Sequence, residues 1–66
     1  MTERELYPAE LDVITASASV IKVARYIDPE MIKPHVETLQ MYLRSNPEQT
    51  KQLIQAILGF VPEDER

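Results

Sequence analysis

His35 is the chain's one imidazole, the side-chain type most often met as a metal ligand or a general base. To hold a metal ion from a helix it would need a second ligand three or four residues away. Those positions carry Met31, Ile32, Thr38 and Leu39, none of which ligates well. As a general base it would need an orienting carboxylate, and Glu37 projects from a different face of the same helix. His35 therefore reads as a partly buried or interfacial histidine at the edge of an apolar stripe. Carboxylates come in pairs at Glu3/Glu5, Glu10/Asp12 and Asp28/Glu30. Residues two apart on a helix face different ways, so none of these makes an acid–base dyad. Each pair sits near a predicted helix start, where the helix dipole favours acids. Ser17, Ser19 and Ser45 have only the distant His35 as a candidate base. The absence of cysteine excludes disulfides and thiolate metal cages. A single glycine leaves no phosphate-cradling loop. The acids Glu63, Asp64 and Glu65 lack the alternating oxygen ligands of a calcium loop. No enzyme activity, cofactor or metal site is expected.

Gln49, Thr50, Lys51, Gln52 and Gln55 raise a different chemistry. Amide side chains bond adenine edges and lysine bonds phosphate, so a helix carrying them suits a major groove. On this alternative reading the chain is a small dimeric DNA-binding transcriptional regulator, with contacts from Gln49, Lys51 and Gln52. Charge opposes it. Eleven acids against seven bases give a net charge of −4, whereas phosphate binding normally leaves a basic footprint. The bases Arg4, Lys22, Arg25, Lys33, Arg44, Lys51 and Arg66 stand singly. Nucleic acid is therefore not the expected partner.

Proline and glycine mark the elements that would carry these residues. Pro8 suits a first helical position, with Leu6 and Leu11 as the ends of a hydrophobic staple. No further breaker occurs before Ile27, which predicts a helix over 8–27. At ~100° per residue, Val13, Ile14, Ala16, Val20, Ile21, Val23, Ala24 and Ile27 share roughly half its circumference, interrupted by Ser17. That arc is wider than one packed neighbour needs. The small residues 16–19 would let a partner helix approach closely. Asp28-Pro29-Glu30 is the next start signal, with Ile27 and Ile32 as its staple. Pro34 then either kinks a helix begun at 29 or restarts one at 34, and both run to 45. Ile32, Val36, Leu39 and Leu43 form its apolar stripe, flanked by Met31, His35 and Tyr42, with Met41 on the polar side. Asn46-Pro47-Glu48-Gln49 opens a third helix over 47–58, Gln49 resembling a capping-box residue. Its arc is Leu53, Ile54, Ile57 and Leu58, and Gly59 is placed to end it.

These elements predict an all-α, compact three-helix unit over 8–61, preceded by an arm (1–7) and followed by an acidic solvated tail (62–66). The first helix carries charges among its apolar positions and is no membrane span. Residues 1–6 have no secretory character, so a cytoplasmic protein is expected. A chain of 66 residues without disulfide or metal gains stability by oligomerising. The expected function is a non-enzymatic protein–protein interaction module: a regulator, adaptor or assembly factor. It would form a homo-oligomer, dimer or tetramer, and engage a larger protein. Its expected interaction residues are Val13, Ala16, Val20, Val23, Ile27 and Tyr42.

Overall fold

A computed structural model describes residues 4–62. It contains three helices, α1 (Pro8–Ala24), α2 (Lys33–Ser45) and α3 (Pro47–Leu58), and no strand among the described residues. Each helix packs against the other two. The tail expected over 62–66 lies, past Pro62, outside the described residues, as do residues 1–3 of the arm.

α1 starts where Pro8 predicts. Tyr7 is extended at the N-cap, Pro8 occupies the first turn, and the Glu10 N–H bonds the Tyr7 carbonyl at 2.9 Å. Glu10 also reaches back, accepting the Tyr7 N–H at 2.9 Å. The staple is only half realised, because Leu6 sinks into the core while Leu11 stays exposed. The helix ends at Ala24, three residues before the expected 27. Proline explains the difference. Pro29 offers no N–H, and the residue before a proline is pushed out of helical geometry. The last bonds therefore run from the Ile27 and Asp28 N–H groups to the Ala24 carbonyl, at 2.9 and 2.7 Å.

Asp28-Pro29-Glu30 forms a turn rather than a helix start. Its N–H bonds reach only three residues back, Met31 to Asp28 at 3.0 Å and Lys33 to Glu30 at 3.4 Å. α2 begins afresh at Lys33, so Pro34 falls in the first turn, where a missing N–H costs nothing. Pro34 thus restarts the chain rather than kinking it. Ile32 packs on the core, but its expected staple partner Ile27 is exposed. A single residue, Asn46, separates α2 from α3. α3 ends at Gly59, whose φ of 82° is the left-handed conformation that glycine tolerates best.

Leu6, Ile14, Ala18, Ile21, Leu39 and Ile54 form the core, with Val36, Leu43, Leu53, Ile57, Leu58 and Val61 packed around it. α1 contributes the line Ile14, Ser17, Ala18, Ile21 and Ala24. Ser17 therefore does not interrupt the buried arc but belongs to it. Small side chains at 17, 18 and 24 favour close approach of the neighbouring helices, since interaxial distance follows side-chain size.

Candidate interaction surface

The core uses only part of α1's apolar arc. At ~100° per residue, Val13, Ala16, Val20 and Val23 lie on a second line, roughly 120° around the helix from the Ile14/Ile21 line. Val13 is 43% exposed and Val23 66% exposed. Ala16 is exposed and Val20 half-buried. Ile27, in the turn after the helix, is 79% exposed and continues the line. Five of the six expected interaction residues are thus brought together on one face. Tyr42 is not among them, being partly buried against the core from α2.

Polar groups border this line on its solvent side. Asp12 and Ser19 are exposed there. Tyr26, 78% exposed, follows them in the closing turn. The Arg25 guanidinium donates to the Tyr26 hydroxyl. It also lies 4.5 Å from the Tyr26 ring centroid and 4.7 Å from that of Phe60. Residue 60 follows α3, so this cation–π stack ties the ends of α1 and α3 together. Arg25 itself, four residues after Ile21 and seven after Ala18, projects from the core side of α1 rather than beside this line.

The opposite end of the molecule is closed by the arm. The Arg4 carbonyl accepts from Asn46 Nδ2 at 2.6 Å and from Gln49 Nε2 at 2.9 Å. The Leu6 N–H donates to Gln49 Oε1 at 3.3 Å. One side-chain amide therefore pairs with the arm much as a neighbouring strand would. The Arg4 side chain grips Glu10 through two bonds, of 2.9 and 2.8 Å. That guanidinium, helped by the Tyr7 N–H, lowers the Glu10 carboxyl from 4.5 to about 2 and raises the Arg4 pKa in turn. Asn46, positioned as a capping residue, makes no side-chain cap bond and turns its amide to the arm. Its Oδ1 is buried without a partner. No pattern in the sequence announces this clamp, because its partners lie more than forty residues apart.

The clamp bears on the α3 residues considered for DNA. Gln49 is engaged by the arm. Thr50 is fully buried, its hydroxyl donating to the Tyr42 carbonyl at 3.2 Å. Lys51 and Gln52 are exposed. The one-residue connection at Asn46 is also shorter than the three- or four-residue turn of a helix-turn-helix.

A cleft of about 480 Å³ runs between α2 and α3, with Leu43 and Val61 among its apolar lining and Arg44 and Lys51 as its cations. Among the described residues its lining includes no carboxylate, histidine or hydroxyl side chain. Half-buried His35 lies outside it. Among the described residues no three His, Cys, Asp or Glu side chains converge to hold a metal ion. No described helix is long and apolar enough to cross a membrane. Comparison with protein-family models, curated proteins and solved structures finds no match to this chain.

Proposed function

We propose that this chain is a non-enzymatic, cytoplasmic helical interaction module, a regulator, adaptor or assembly factor, that self-associates and docks on a larger protein through the outer face of α1. The observation that carries this reading is the line of Val13, Ala16, Val20, Val23 and Ile27 left outside the core. Solitary exposed apolar residues are ordinary on protein surfaces, whereas a contiguous line of them marks a contact. Valine also forms helix less readily than alanine. Three valines on this face, Val13 and Val23 exposed and Val20 half-buried, therefore weaken the isolated domain twice, through exposure and through propensity. A partner that covers them removes the first of those costs.

Molar mass by light scattering, over roughly a hundredfold range of concentration, tests the reading. The wild-type chain should elute at a multiple of 7.6 kDa. Val20→Glu should return it to a helical monomer. Val23→Glu, at a position further from the core, should do the same without disturbing the fold. An oligomer indifferent to both substitutions would overturn the reading.

A further inference from the structure

The arginines at the two ends of the molecule are treated differently. Arg4 is paired, its guanidinium gripping the Glu10 carboxylate through bonds of 2.9 and 2.8 Å. Arg25, just past α1, is half-buried and forms no ion pair among the described residues. It lies instead over the Tyr26 and Phe60 rings and donates to the Tyr26 hydroxyl. Its place at the negative end of the α1 dipole accounts for its charge. The dipole does not account for the two rings or for the donors left over. A guanidinium carries several N–H groups, and a single one is used here. The hydroxyl, having accepted from Arg25, keeps its own proton to donate. N–H and O–H donors therefore sit side by side, on a side chain already ordered by its stack.

We propose that Arg25 and Tyr26 anchor a docking site for an acidic side chain, Asp or Glu, which a partner protein presents beside a bulky apolar residue. One carboxylate oxygen accepts from the guanidinium and the other from the Tyr26 hydroxyl, and both bonds are charge-assisted. The apolar neighbour lies against Tyr26, Ile27 and Phe60, all exposed. Tyrosine and arginine are among the residues that most often carry the binding energy of an interface. Because the stack already holds Arg25, binding orders little that was loose. One cation suits one carboxylate, whereas a polyanion would meet the net charge of −4 on the whole chain. Arg25 projects from the core side of α1, so this site is separate from the Val13, Val20 and Val23 line and stands or falls apart from it.

The probe is the peptide acetyl-Leu-Glu-Phe-amide, with its Gln counterpart as control, titrated into the isotope-labelled chain to roughly 10 mM, above the Kd of even a weak contact. The Glu peptide should move the Arg25 side-chain signals and the Tyr26 and Phe60 ring signals in NMR spectra. It should bind roughly tenfold tighter than the Gln peptide. Tyr26→Phe keeps a ring over the guanidinium but loses the hydroxyl, and should weaken the Glu peptide roughly fivefold with no effect on the Gln peptide. Arg25→Gln should erase the preference for Glu, with helical circular dichroism unchanged, and if that variant unfolds Tyr26→Phe decides alone. Equal binding of the two peptides, shifts confined to other surfaces, or no shift at the highest concentration overturns the site. An Arg25 signal that moves without peptide in the combined variant Glu63→Gln, Asp64→Asn, Glu65→Gln makes the chain its own acceptor and overturns the outside partner. Val20→Glu, which tests the α1 face, should leave peptide binding unchanged.

Discussion

Ile21 and Val23 lie two residues apart on α1 and should behave as though they belonged to different structures. Ile21 is 2% exposed. Ile21→Ala deletes three buried carbons worth ~0.8 kcal/mol each and leaves a cavity, so roughly 3 kcal/mol is expected. A domain of 66 residues has in total roughly 3–10 kcal/mol. The melting temperature should fall by roughly 12–24 °C. Val23 is 66% exposed, so Val23→Ala deletes carbons that are mostly in water already. The buried remainder is worth ~0.5 kcal/mol, which alanine's better helix propensity offsets. In dilute solution Val23→Ala should therefore melt like the wild type. In concentrated solution the two variants change places in importance. Removing the exposed share of two carbons from each side of a symmetric contact costs ~2 kcal/mol, and the association constant drops roughly thirtyfold. Urea unfolding followed by circular dichroism, at low and high protein concentration, separates the two behaviours. If Val23→Ala in dilute solution matches the loss in Ile21→Ala, α1 does not divide its apolar arc as described.

Acid should weaken the domain through Glu10. Its folded pKa is lowered from 4.5 to about 2, so its stabilisation is whole above pH 4.5 and fades as pH falls towards 2. Glu10→Gln should remove that part of the pH dependence, and thermal melts retaining the wild-type acid slope would refute the assignment. Gln49→Glu should loosen the arm: the carboxylate still accepts from the Leu6 N–H but cannot donate to the Arg4 carbonyl. About 1 kcal/mol of stability should go, with faster hydrogen exchange at Leu6, and unchanged exchange there would count against the clamp. Gly59→Ala should cost roughly 1 kcal/mol in urea unfolding despite open space around the position, because its φ of 82° disfavours any side chain. A neutral result would mean that α3 ends in another way.

The parts of the fold legible in the sequence were those governed by neighbours along the chain. Pro47 and Gly59 bound α3 as predicted, since a first-turn proline and a left-handed glycine act locally. At Asp28-Pro29 two local signals compete, and the structure takes the restart at Pro34, one of the two outcomes the sequence allows. The same dipeptide signal that opens a helix at Asn46-Pro47 makes only a turn at 28–32, because Pro34 follows too closely for an uninterrupted helix to form. Asn46 and Gln49 carried familiar capping identities, yet their amides serve the arm. That outcome depends on where residues 4–6 fold back, which no periodicity encodes. The apolar face of α1 was visible as one wide arc, but not the way it divides between core and solvent.

The division follows from size. The buried line holds two isoleucines separated by serine and alanine, so bulky residues fill the core while small ones admit α2 and α3 close to the α1 axis. Turning α1 to bury Val13, Val20 and Val23 instead would expose Ile14 and Ile21 and set β-branched side chains where Ser17 and Ala18 now admit the neighbours. With two packing helices and one wide apolar arc, some of that arc must stay outside. The covered part is the one that sets its two isoleucines among small residues and so fits its neighbours more closely. The uncovered part keeps a regular three-and-four spacing of apolar residues, a feature a core does not require and a second helix can use.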